Sequence, residues 1–201
     1  AHRVNPDWVY GMPELKGQLQ KIQASTRIAN PGCHASGFIA LVAPLVEAGI
    51  LPRDAQLSCF SLTGYSGGGK PMIAAYEAAD RDPLLGAPRQ YGLTQTHKHL
   101  PEMQQIAGLQ NAPAFCPIVG DFYSGMEVTV PVFARDLRGG IEDIRALYRA
   151  TYNTPLVHFE EDSDEEGFLS AVAFADRDDM EIRVCGNEER VLLVARFDNL
   201  G

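Results

Sequence analysis

Apolar residues recur at three- and four-residue spacing beyond residue 37. Phe38, Leu41, Val42, Leu45 and Val46 share one face, which predicts a buried helix running to about Glu47 with Gly49 as its stop. Ile141, Ile144, Leu147 and Tyr148 repeat that period and predict an amphipathic helix over 141–152. Residues 71–80 are apolar and helix-prone, with Pro71 where a first turn tolerates it. Residues 1–16 read as irregular, with Met12 to Leu15 opening a short helix towards Lys21. Strand patterns occupy 27–30, 55–63, 114–119, 126–134, 156–159, 170–174, 180–185 and 190–197, and Pro131 marks an edge or bulge. Residues 64–70 and 81–92 read as loop. Strands and helices in this order predict an α+β fold, a mostly antiparallel mixed sheet with helices packed on it.

Composition narrows the picture. The chain has 201 residues, 45% hydrophobic and 21% charged, and reads as a single domain over 1–201. Cys33, Cys59, Cys116 and Cys185 lie far apart with no Cys-x-x-Cys pair, so neither a disulfide framework nor a metal is expected, and a reducing cytoplasm is. The first residues lack the apolar core of a signal peptide, and no apolar run approaches the roughly 18 residues of a membrane span. A net charge of −9 argues against nucleic acid or an acidic membrane as partner. The acidic run Glu160, Glu161, Asp162, Asp164, Glu165 and Glu166 lacks calcium-loop spacing and reads as a solvated loop.

The chemistry is concentrated at Asn30-Pro31-Gly32-Cys33. Proline pushes Asn30 towards an extended conformation and glycine completes a turn, which puts Cys33 at or just before the helix N-terminus. Unpaired backbone N–H groups and the helix dipole favour an anion there, so a thiolate with lowered pKa is expected. The same N–H groups suit an oxyanion. The plainer alternative is a small buried hydrophobe, as most free cysteines are.

Two further segments carry polar chemistry. His97-Lys98-His99 is followed by Pro101-Glu102; if residues 94–99 are extended, both rings emerge on one face, where one serves Cys33 as acid or base. They could equally cap a surface turn, and as a zinc pair they lack an obvious third ligand. Ser66-Gly67-Gly68-Gly69-Lys70 has the composition of an anion cradle but not the spacing of a Walker A loop. No Gly-x-Gly-x-x-Gly fingerprint occurs in the chain.

Asn30-Pro31-Gly32-Cys33, Gly64 to Lys70, His97-Lys98-His99 with Pro101-Glu102, and Pro117 to Gly125 follow one another in an order that resembles the N-acetyl-γ-glutamyl-phosphate reductases of arginine biosynthesis, in their shorter type. The resemblance implies a catalytic and dimerisation domain similar to that of glyceraldehyde-3-phosphate and aspartate-semialdehyde dehydrogenases, forming a homo-oligomer. It implies that an N-terminal Rossmann domain holding NADP and a C-terminal helix lie outside this sequence, so that the fragment alone lacks activity. It further implies that Cys33 attacks the acyl phosphate to form a thioester, that NADPH reduces it, and that His97 or His99 is the acid/base. Ser66, Gly67 and Gly68 would face the nicotinamide, and Asn30 and Lys70 the substrate. Members often carry an aromatic residue after the cysteine; here His34 stands there as a third candidate histidine. An aspartate-semialdehyde type of dehydrogenase, a thiol hydrolase and a non-catalytic dimerisation module are the competing readings.

Overall fold

The computed structural model describes residues 2–161 and 166–201, so part of the acidic run lies outside the described residues. A seven-stranded sheet forms the body. Its strands are β3 (Ser58–Gly64), β4 (Arg89–Gln90), β5 (Ala114–Gly120), β6 (Met126–Phe133), β7 (Val157–Phe159), β8 (Met180–Gly186) and β9 (Arg190–Phe197). They lie in the order β4-β5-β3-β6-β9-β8-β7. The β3/β5 and β7/β8 pairs are parallel and the other pairs antiparallel, which is the mixed, mostly antiparallel α+β sheet that the pattern predicts.

The central helix α2 (Cys33–Glu47) lies across β6 and β9. Its close approach needs Gly37, where a Cβ would sit 2.8 Å from side-chain carbons of Phe197 and Val128. Helices α4 (Leu100–Ile106) and α5 (Ile141–Thr151) pack on its flanks. Pro44 falls inside α2, and its missing N–H orphans the carbonyl of Ala40. The fold answers with a tyrosine. Tyr152 Oη donates to Ala40 O at 2.6 Å, and Tyr148 Oη donates to the next carbonyl, Leu41 O.

Alternation along the strands sends Cys59, Ser61, Val128 and Val130 towards α2 and Phe60, Thr129, Pro131 and Leu192 the other way. Among the described residues no helix covers this second face at Phe60 and Leu192, which stay 45% and 42% exposed. Further along it, Glu181, Arg183 and Arg196 are buried together: Glu181 accepts from Arg183 Nε at 2.6 Å and Arg196 Nε at 2.9 Å. The expected strand over 170–174 is instead a run of turns. It covers that charged cluster, with Ser170 O accepting from Arg196 Nη1 at 3.3 Å and the Phe174 ring 5.3 Å from the guanidinium.

A second, two-stranded sheet precedes the body. β1 (Val9–Tyr10) and β2 (Ile28–Ala29) pair in parallel and are joined through α1 (Gln18–Gln23), which begins later than the sequence predicts. The helix expected over 71–80 is α3 (Gly69–Glu77), which takes in Lys70.

Candidate active site

Cys33 is the first residue of α2, with Gly32 as extended N-cap. Glycine is required there because a Cβ would fall 2.3 Å from His99 Nε2 and 2.6 Å from Arg3 Nη1. The turn is held by the buried Glu102. Its Oε1 accepts from Gly32 N–H at 2.8 Å and from Tyr10 Oη at 2.8 Å, and its Oε2 lies 3.5 Å from Arg3 Nη1. On the helix side, Gly32 O accepts from Ser36 N at 2.8 Å and Ser36 Oγ at 3.0 Å.

The thiol is half-buried, and burial pushes its pKa up. The His34 backbone N–H, Lys98 and Arg3 pull in the opposite direction without overcoming it. This corrects the expectation of a lowered thiol: the helix terminus contributes with the expected sign, and desolvation is larger.

Three imidazoles gather next to this turn. Residues 94–99 are not extended; they form a turn pinned to β5 by Gln95, whose side chain donates to Phe115 O at 2.7 Å and accepts from Phe115 N at 2.9 Å. The turn brings the His97 and His99 rings to 4.7 Å between centroids. His34 lies 5.8 Å from the His97 ring and 5.5 Å from the His99 ring. His34 is buried, with Nδ1 2.7 Å from Ser61 Oγ and Nε2 2.6 Å from Tyr91 Oη. His99 is buried too, and among the described residues its Nδ1 has no hydrogen-bond partner. Burial, reinforced by neighbouring imidazoles and Lys98, pushes both down to about 3, so both are neutral at pH 7. His97 alone of the three is only half-buried. Burial and then Lys98 lower its pKa as well, and its Nδ1 lies 3.3 Å from the His99 N–H.

A cavity of about 340 Å³ opens at the thiol, bordered by Asn30, Cys33, Ser36, Arg177, Phe197 and Asp198. Asn30 is therefore beside Cys33, where its own carbonyl takes a hydrogen bond from Arg3 Nε at 2.9 Å. The Ser66-Gly67-Gly68 segment is a 3₁₀ turn clasped from the chain's last residues: Asn199 Nδ2 donates to Ser66 Oγ at 2.9 Å, and Asn199 Oδ1 accepts from Gly125 N at 2.9 Å. Ser66 is buried and its hydroxyl occupied, whereas Gly67 and Gly68 are exposed. Lys70 is exposed in the first turn of α3 and does not border the cavity at Cys33. Tyr91, Arg3 and Asn199 carry no motif in the sequence, and Glu102, named there beside Pro101, takes no role from it.

Such a domain, with a cysteine opening a helix over a one-sided mixed sheet, is of the semialdehyde dehydrogenase class: the chain belongs to the family described as "Semialdehyde dehydrogenase, dimerisation domain", which matches residues 33–199. Among solved structures it is similar to aspartate semialdehyde dehydrogenase II from Vibrio cholerae (TM-score 0.70, 16% identity, 98% of this chain and 65% of that one). It is likewise similar to the aspartate semialdehyde dehydrogenase from Francisella tularensis (TM-score 0.66, 12% identity, 99% and 68%). Curated relatives named N-acetyl-gamma-glutamyl-phosphate reductase match over the whole chain, at 42% identity and 66% of the relative's length for Burkholderia lata, and 44% and 68% for Rhizobium meliloti. The chain thus spans about two thirds of the length of these relatives.

Proposed function

We propose that this chain is the catalytic and dimerisation domain of an NADPH-dependent N-acetyl-γ-glutamyl-phosphate reductase of arginine biosynthesis, acting in the cytoplasm through a thioester on Cys33. The observation that supports this best is the thiol at a helix N-terminus, bordering a cavity, with the His99 ring packed against the turn just before it. The sulfur attacks the acyl-phosphate carbonyl, the C–O bond to phosphate breaks, and the thiol proton leaves with the phosphate. Backbone N–H groups of the first turn of α2 face the oxygen that gains negative charge. His97 is the proposed acid/base: it is the accessible imidazole, and the amide donating to its Nδ1 favours the ring proton on Nε2, where it can be given to that oxygen. His99, buried beneath it, acts as support.

The residues present fit one side of a nicotinamide site. The Ser66–Gly68 turn offers exposed glycine backbone, although a Cβ on Gly67 would make only ordinary contacts, 3.4 Å from Thr63 Oγ1 and 3.5 Å from Asn199 Nδ2. Reduced NADP, when bound, supplies the hydride that turns the thioester carbon into an aldehyde. Most of its binding surface belongs to a second, Rossmann-type domain, and the parallel β1-α1-β2 unit supports that reading because a helical crossover between parallel strands is the unit from which such sheets are built. Asn30 would contact the substrate, and Lys70 can do so only if the second domain or a bound phosphate reaches it. The uncovered sheet face around Phe60 and Leu192 supports a homo-oligomer.

The test uses the full-length protein in the reverse direction, following NADPH formation from N-acetylglutamate semialdehyde, phosphate and NADP. Activity is expected, with Cys33→Ser abolishing it. Activity with aspartate semialdehyde instead, or an unaffected Cys33→Ser variant, would replace this reading by the aspartate-semialdehyde type or by the non-catalytic module.

A further inference from the structure

His34 follows the proposed nucleophile and is not a free acid or base, since both ring nitrogens are taken. Ser61 sets the direction of these bonds. It is completely buried, and among the described residues His34 Nδ1 is the hydrogen-bond partner its hydroxyl has. A buried hydroxyl that donates nothing is costly, so Ser61 O–H donates to Nδ1. A neutral imidazole has one N–H, which is then on Nε2 and donates to Tyr91 Oη. With its oxygen accepting from His34, Tyr91 keeps its own hydrogen for another acceptor.

That phenol is hydrogen-bonded to the ring of the residue that follows Cys33, and burial, with the Cys33 charge after it, pushes the Tyr91 pKa up, so the hydroxyl stays protonated. His34 stays neutral for the reasons given above, and its ring is wedged against Phe115 at 5.3 Å between centroids. We propose that His34, oriented by Ser61, is a positioning residue that holds the Tyr91 hydroxyl beside Cys33 with its hydrogen directed to an oxygen of the incoming acyl phosphate. This rests on the reaction proposed above and adds to it a donor chain, Ser61 to His34 to Tyr91 to substrate, that ends on the reacting group.

The decisive experiment compares variants of the full-length reductase in kcat, KM and melting temperature. Glutamine at position 34 places an amide where Nε2 lies, and asparagine places one where Nδ1 lies. His34→Asn and Tyr91→Phe are expected to lower kcat about 10–100-fold, the scale of a misplaced reacting group, with His34→Gln recovering most of the loss. In the Tyr91→Phe background, His34→Asn is expected to cause no further drop in kcat. Ser61→Ala, which keeps both rings, is expected to lower kcat with Tyr91 present and to change nothing once it is Phe. Equal losses for His34→Asn and His34→Gln, or losses that multiply with Tyr91→Phe, would overturn the proposal. If Cys33→Ser kept its activity, the reaction itself would fall, a result separate from any outcome at His34.

Discussion

Tyr152→Phe isolates one hydroxyl in the packed core. Tyr152 is 2% exposed, and its Oη donates at 2.6 Å to the carbonyl that Pro44 leaves without an amide. Removing the hydroxyl forfeits a hydrogen bond worth about 1 kcal/mol net, and it strands a buried acceptor at a cost of about 1–3 kcal/mol. Part of that is the same energy counted from two sides, so the expected destabilisation is about 2 kcal/mol. For a domain of this size it lowers Tm by about 4–8 °C. Urea unfolding at fixed protein concentration, with circular dichroism as probe, measures it. The control is a double-mutant cycle with Pro44→Ala, which restores the missing N–H to Ala40 O. In that background Tyr152→Phe should cost at least about 1 kcal/mol less. Additive effects, within about 0.5 kcal/mol, would refute the idea that the tyrosine replaces the proline's lost donor.

Alkylation of Cys33 in this domain should follow a pH profile with its midpoint above that of an ordinary thiol, because burial disfavours the anion; a midpoint below pH 8 would show the helix terminus outweighing desolvation. His34 and His99 bind protons in the unfolded chain near pH 6.5 but in the folded one only near 3. Their contribution to stability is therefore complete above about pH 6.5 and declines towards pH 3, and NMR should show neither ring titrating between pH 8 and 5; a ring shift in that range for either contradicts their burial. Phe60→Glu combined with Leu192→Lys should reduce the assembly to smaller species in analytical ultracentrifugation while the circular dichroism spectrum stays unchanged, and an unaltered sedimentation profile would remove that face as the interface.

The sequence was most legible where one signal dominates the local energetics. Pro31-Gly32 followed by a helical apolar period places the start of α2 at Cys33, and alternation in 126–134 gives β6 almost residue for residue. It was least legible where distant residues decide. Residues 94–99 read equally as an extended segment or as a turn, and the Gln95 side chain decides for the turn through two bonds to Phe115, twenty positions away. Helix α4 is seven residues long, with His99 as N-cap and Leu100-Pro101 as its first residues, too short for its periodicity to register. Residues 170–174 have strand-like content, but the buried Arg196 needs a carbonyl and a ring over it, and that demand bends the segment into turns. At the site, Cys33 and the histidines were recognisable by residue type. The thiol's raised pKa was not, because it depends on how much water the folded chain removes.

One carboxylate oxygen of Glu102 grips both the Tyr10 hydroxyl, on the small sheet, and the Gly32 amide, one residue ahead of the sulfur. The small sheet therefore cannot slide along the main body without tugging on the peptide that aims the thiol. Mechanical play in the first thirty residues translates directly into scatter in the angle from which sulfur meets its target.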